Sequence, residues 1–290
     1  MDGLEALEGR VMFATGVTLT RADGAARSIV GRRETWIVIH GTDASKDEPA
    51  IRALAGAVDA MSSRDQVLMV DWSALAYHTK DAQLATANAQ AAAGAVAGLI
   101  RDVGLPAGRI NRIGYSMGAF VADRVAAGLH DLGGVNRIVA LDPAAPRSGL
   151  NKRGHTVAAP VFLGRDSAYA IAFHGVNRHS PFSAAASADD TVRVDNVGAT
   201  DDERHAGVLD VFTTMVERNN GGSADAVSGV FSLARIKDGT MPGWRKDLIG
   251  AETDGGPGYE AVLTAASPVA PVAPALLAYL NRRGHTVHVS

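Results

Sequence analysis

Short apolar runs, each stopped by a turn residue and followed by a segment of helical periodicity, leave few folds open to this chain. Trp36-Ile37-Val38-Ile39, Val67-Leu68-Met69-Val70, the stretch from Arg109 to Gly114 and Arg137-Ile138-Val139-Ala140-Leu141 are such runs. Apolar side chains on both faces mark central strands of a sheet covered from both sides. Between them Ile51, Leu54, Ala55 and Val58 keep helical spacing, as do the segment from Gln83 to Val103, ended by Gly104 and Pro106, and the segment from Ala119 to Leu129. Two further strands, Ala168 to Phe173 and Thr191 to Val197, precede a helix from Ala206 to Arg218. This alternation predicts an α/β fold with a mostly parallel sheet and helices on both faces. The weaker runs Val11 to Val17 and Ser28-Ile29-Val30 would supply antiparallel edge strands.

Length and charge narrow the setting. A chain of 290 residues buries a large core without needing a second domain. Residues 1–218 carry the alternating pattern of the core. Residues 219–290, where Gly221, Gly222 and the stretch Gly255-Gly256-Pro257-Gly258 thin it, read as a C-terminal extension packed on the same domain. A formal net charge of -3 with 20% charged residues and no basic patch excludes nucleic acid as the expected partner. The absence of cysteine removes disulfides and thiolate metal sites from consideration. Two uncharged stretches could suggest membrane spans. The one from Ala82 to Ile100 is rich in alanine and carries Gln83, Thr86, Asn88 and Gln90, so a packed helix is expected; the one from Ala261 to Leu280 is broken by Pro268, Pro271 and Pro274 into an extended connector. The start, Met1-Asp2-Gly3-Leu4-Glu5, shows no signal segment.

One turn carries chemistry. Gly114-Tyr115-Ser116-Met117-Gly118 follows an apolar strand and opens a helix of small residues. Such a strand-to-helix elbow needs glycine on either side of the serine, because side chains there would collide with neighbouring backbone. Ser116 is then exposed as a nucleophile, and the Met117 N–H, at the helix start, faces a developing oxyanion. Serine is a weak nucleophile alone, so a carboxylate and a histidine base are expected downstream, in that order, at strand ends.

Four motifs in order carry a family resemblance: Val38-Ile39-His40-Gly41, Val70-Asp71-Trp72-Ser73, Ile113-Gly114-Tyr115-Ser116-Met117-Gly118-Ala119 and Leu141-Asp142-Pro143. From Trp36 to Pro143 the chain resembles the pancreatic-lipase-like branch (lipase and phospholipase A1) of the α/β-hydrolases. The missing cysteines point to a bacterial-type member without the disulfide-closed lid. The resemblance implies an α/β-hydrolase fold, Asp142 as the acid and the Thr42 amide as the second donor of the oxyanion hole. His40 is then structural, and Asp71 with Trp72 scaffolds the pocket. Asp195 and Asp201 are the alternative acids, at the position that many α/β-hydrolases use.

Of the 9 histidines, those after Asp142 respect the expected order. His205, just ahead of the helix at Ala206, is the expected base, with His174 and His179 as competitors. The site is therefore Ser116, Asp142 and His205 with the Thr42 and Met117 amides, and the chemistry is acyl transfer from an ester to water. It calls for no metal or organic cofactor; Asp166 lies near the family's calcium site but lacks a convincing set of partners. The implied partner is an ester or lipid substrate, with room for transient contact with a lipid surface. The short loop from His179 to Asp190 favours small soluble esters or phospholipids over emulsified triglycerides. An acyltransferase or thioesterase, or a polymer-ester depolymerase, would use the same residues. Secretion from a bacterium fits the family, although no signal segment accompanies it.

Overall fold

The structure is a computed structural model that describes residues 12–14, 16–24, 29–61, 63–76, 82–144, 147–150, 156–158, 162–175, 187–195, 199–220 and 260–264, with Ala185, Leu233 and Ile236. The loop residues from His179 to Ala184, the proline-spaced connector beyond Thr264 and most of the extension lie outside them.

The apolar runs form the strands that the sequence predicts. β1 (Met12–Ala14) and β2 (Val17–Arg21) lead to β3 (Thr35–Ile39), α1 (Pro49–Met61), β4 (Gln66–Asp71), the short α2 (Ser73–Ala76) and α3 (Ala82–Asp102). β5 (Ile110–Tyr115), α4 (Met117–Gly128), β6 (Val135–Leu141), a hairpin of β7 (Arg147–Leu150) and β8 (Thr156–Ala158), and β9 (Ser167–Gly175) follow. β10 (Asp190–Asp195), α5 (Asp201–Asn220) and β11 (Glu260–Thr264) complete the order. Nine strands make one sheet in the order β1-β2-β4-β3-β5-β6-β9-β10-β11. The first two pairings are antiparallel and the remaining six parallel. Strand β11 lies in a stretch whose prolines, from Pro268 onward, led to an expected connector; those prolines begin only after the strand has ended.

Alternation along each strand divides the core in two. Ile37, Ile39, Leu68, Val70, Ile138, Ala140, Ala170 and Ala172 face α3 and α4. Trp36, Val38, Val67, Met69, Val139, Leu141, Ile171 and Phe173 face α1 and α5. With both faces covered, strands β3 to β6 have no solvent-facing side, which is why they read as mostly apolar runs. The alanines of α3 have a packing reason: Ala89, Ala92, Ala93, Val96 and Ile100 are buried against the sheet and α4. The two helices come so close that a Cβ on Gly128 would stand 3.1 Å from that of Ala97. Among the described residues no helix is long and apolar enough to cross a membrane.

Arg112 stitches β5 to its neighbours. Fully buried, it donates from Nη1 to the Ala122 carbonyl of α4 and from Nη2 to Ser167 Oγ at 2.8 Å. Burial pulls its guanidinium down to about 9, against the opposing charges of Asp123 and Asp166. Leu233 and Ile236 are buried on the α1–α5 face, and Arg137 Nε donates to the Ile236 carbonyl at 2.8 Å.

Two sequence expectations change. The helix carrying His205 starts at Asp201, not at Ala206, because Thr200 and Glu203 form a capping box. Thr200 Oγ1 accepts the Glu203 N–H at 3.2 Å, and Glu203 Oε2 accepts the Ala199 and Thr200 N–H groups at 2.8 and 3.0 Å. The expected edge strand at Ser28-Ile29-Val30 is not one: Ile29 and Val30 are loop, and Ser28 lies outside the described residues. Val30 still makes ladder-like hydrogen bonds, but with a side chain. Its N–H donates to Gln66 Oε1 at 3.0 Å, and its carbonyl accepts from Gln66 Nε2 at 2.9 Å. Gln66 Nε2 also donates to Thr35 Oγ1 at 2.8 Å. Gln66→Leu should therefore leave Val30 unpaired and lower unfolding stability by about 2–4 kcal/mol in urea titrations, with specific activity per folded molecule unchanged.

Candidate active site

The predicted nucleophile lies where β5 ends and α4 begins. Ser116 has φ 55° and ψ -125°, a conformation that a non-glycine residue holds only when its surroundings impose it. The neighbours are responsible. A Cβ on Gly114 would stand 2.6 Å from Ala119 Cα, and one on Gly118 would stand 2.5 Å from the His40 carbonyl oxygen. With no room for either side chain, α4 presses directly on β5 and β3, and the chain between them must turn sharply. Ser116 is 7% exposed and is the first residue beyond the strand.

Asp142 is the matching residue one strand over, just past the end of β6. It too has positive φ, 44°, and is 0% exposed. Its backbone N–H donates to the Phe173 carbonyl at 2.6 Å, which continues the β6–β9 ladder. The Ser116 N–H donates to the Leu141 carbonyl at 2.9 Å, and the Ser116 carbonyl accepts the Ala144 N–H at 3.3 Å. Ser116 and the loop of Asp142 are thus tied to each other by backbone on both sides of Asp142.

A carboxylate with no exposure needs hydrogen bonds. Asp142 Oδ1 accepts the Gly175 N–H at 2.8 Å, and Oδ2 is hydrogen bonded to Nδ1 of His205 on the first turns of α5. His174 Nδ1 stands 3.6 Å from Oδ1. The His205 ring lies on Tyr115, centroids 4.9 Å apart and planes tilted by 31°. The residue before the nucleophile therefore supports the imidazole, a contact that no spacing in the sequence announced. Burial raises the Tyr115 phenol above its ordinary range, and the nearby charges of Asp142 and Asp210 push it the same way. Burial likewise raises the Asp210 carboxyl.

The His40-Gly41-Thr42 loop closes over the serine. A Cβ on Gly41 would stand 2.9 Å from Ser116 Cβ, so glycine is required for the approach. Asp43, with φ 53°, turns the chain away, and its N–H donates to the Ala76 carbonyl of α2 at 3.4 Å. The Thr42 and Met117 N–H groups have no hydrogen-bond partner among the described residues. His40 is wholly buried, stacked on Trp72 with centroids 5.6 Å apart. Its Nδ1 faces the Gly41 carbonyl at 2.8 Å, and its Nε2 accepts the Trp72 N–H at 3.1 Å, so the proton belongs on Nδ1. Trp72 Nε1 donates back to the His40 carbonyl at 2.8 Å. The two motifs at the ends of β3 and β4 thus hold each other and, through Gly41, the loop above Ser116.

The structure brings Asp142 to His205, ties Ser116 by backbone to the loop of Asp142, and sets Gly41, before Thr42, against Ser116, with Met117 opening α4. The alternative acid Asp201 pairs with Arg204, 3.4 Å away within α5. Asp195 ends β10, two strands from β6, and His179 lies outside the described residues. Asp166 pairs with His130, Oδ1 to Nδ1 at 3.0 Å.

A parallel sheet with two antiparallel strands at one edge, a strained serine elbow after the strand at its centre, and a buried aspartate after the next strand that meets a histidine of α5 define one architecture. The fold is that of an α/β-hydrolase. The model of the family described as Lipase matches residues 22–157, a little under half of the chain, and that span holds Thr42, Ser116, Met117 and Asp142. No curated protein sequence matches. Among solved structures the chain is similar to the alpha/beta hydrolase domain-containing protein 10 from mouse, at 11% identity over 71% of this chain and 94% of that one, TM-score 0.45. It is similar to an alpha-beta serine hydrolase homologue from Coxiella burnetii, at 14% identity over 75% and 99%, TM-score 0.43. It is also similar to an a/b serine hydrolase without lid from Xanthomonas campestris, at 14% identity over 76% and 96%, TM-score 0.44.

The buried phenol has a pH consequence. An acid whose pKa is raised by folding keeps its proton in the native state while the unfolded chain loses it, so stability falls as pH rises above the ordinary phenol value of about 10. In an alkaline absorbance titration, the difference between wild type and Tyr115→Phe should stay flat through about pH 10 and appear only with unfolding.

Proposed function

We propose that the chain is a serine hydrolase that cleaves carboxylic esters, of lipids or other acyl compounds, through an acyl-enzyme. The observation that carries this reading is the fully buried Asp142 hydrogen bonded to His205, beside a serine held at positive φ where β5 meets α4. A buried carboxylate on Nδ1 fixes the imidazole tautomer, leaves Nε2 as the basic nitrogen and stabilises the imidazolium once it forms. The stacked Tyr115 ring limits rotation of that imidazole.

The reaction then runs in two halves. His205 takes the Ser116 proton as Oγ attacks the ester carbonyl, and the oxyanion is received by the Thr42 and Met117 N–H groups, which have no other partner among the described residues. The tetrahedral adduct collapses, His205 returns the proton to the leaving alkoxide, and the acyl group remains on Ser116. Water, deprotonated by His205, repeats the attack and frees the acid and the serine. The match to the Lipase family over 22–157 favours acyl or lipid esters as substrates. The proximity of Gly41 to Ser116 supports the assignment of Thr42, since it brings the following amide over the nucleophile.

Labelling by a fluorophosphonate probe and hydrolysis of p-nitrophenyl esters of graded chain length test this directly. Wild type should label and turn over, Ser116→Ala should do neither, and His205→Ala should lose turnover. Asp142→Asn, which leaves the histidine in the wrong tautomer, should cost about 10⁴ in kcat. A wild type that is folded yet neither labels nor cleaves any ester of the series would end the proposal.

A further inference from the structure

Asp142 is approached by two histidines, and the mechanism uses one. His205 Nδ1 occupies Oδ2, while His174 Nδ1 stands 3.6 Å from Oδ1, which also accepts the Gly175 N–H at 2.8 Å. His174 is 5% exposed and Asp142 0%, so the three groups meet where charge is screened weakly. A separation of 3.6 Å exceeds a direct hydrogen bond; the contact is an electrostatic one between a ring nitrogen and a carboxylate oxygen.

The sheet delivers this contact. Pairing of β6 with β9 sets Leu141 opposite Phe173, and the Asp142 N–H extends the ladder to the Phe173 carbonyl. The next two residues of β9, His174 and Gly175, therefore end beside the Asp142 side chain. The Gly175 N–H is one donor on Oδ1; the His174 ring beside the same oxygen fills the space through which the carboxylate would rotate, and rotation would weaken its hold on the base.

We infer that His174 is a positioning residue for the ester cleavage: with the Gly175 N–H it holds Asp142 Oδ1, so that the carboxylate keeps one rotamer and Oδ2 alone is presented to His205. The inference rests on the reading of Ser116, Asp142 and His205 as the triad.

The test uses the full chain, with His174→Ala and His174→Asn beside His205→Ala and Asp142→Asn, p-nitrophenyl ester kinetics, thermal melts and proton NMR of the low-field His205 Nδ1–H. His174→Ala should lower kcat about tenfold to a hundredfold, the range for loss of a group that orients a ligating or catalytic one, with KM unchanged and the low-field proton weakened or displaced. His174→Asn, whose amide can donate toward Oδ1, should recover much of the rate and the resonance. If the alanine variant does not fold, His174→Phe, which fills the ring's space without a nitrogen, takes its place with the same expected readings. A folded variant with wild-type kcat and an unmoved resonance overturns the inference alone, provided that His205→Ala and Asp142→Asn are inactive. Turnover that survives in His205→Ala but vanishes in the His174 variants overturns the triad reading and the inference with it.

Discussion

The zero-clearance contact between α4 and the strands β5 and β3 is the constraint on which the site depends. Gly114 and Gly118 have no room for a Cβ, so the helix lies directly on the sheet and the residue between strand and helix is forced to φ 55°. The strain is local and the restoring forces are spread widely. Arg112 ties β5 to α4 and to the start of β9, and almost every residue from Met117 to Ala126 is buried. An interior packed this densely does not relax to relieve one dihedral, so the serine stays raised at the strand end.

A second constraint is the buried charge beside that serine. Asp142 has no solvent to stabilise it, and its partners come from two parts of the chain: the Gly175 N–H and His174 on β9, and His205 on α5. The parallel register places the first two, and the Thr200–Glu203 cap places the third by deciding where α5 begins. Hydrogen bonds from the Thr200 and Ala199 amides hold the Glu203 carboxyl below its ordinary range, so the cap is charged at neutral pH and complements the helix dipole. Polar groups at the strand ends are thus satisfied by one another.

Much of this was legible in the sequence, for reasons that can be named. Central strands such as Trp36 to Ile39 are apolar on both faces because helices cover both, and that pattern survives in one dimension. The elbow was legible because steric exclusion leaves glycine as the only choice at two positions. Other features left ambiguous traces. Ile29-Val30 looks like a strand because it is β-branched, but its backbone pairs with the Gln66 amide, a contact 36 residues away. The true start of α5 was written in Thr200 and Glu203, yet the apolar period begins only near Val208, so periodicity placed the boundary late.

By itself the sequence determined the alternation of strand and helix, the division of the core into two apolar layers and the strained serine turn, because each follows from patterns or exclusions among neighbours in the chain. Only the tertiary structure decided which carboxylate and which histidine meet. Asp142 and His205 are 63 residues apart, and three other histidines, His155, His174 and His179, lie between them in the chain. Their choice rests on strand register and on the angle at which α5 crosses the sheet, which depend on the packing of the whole domain rather than on any local run of residues.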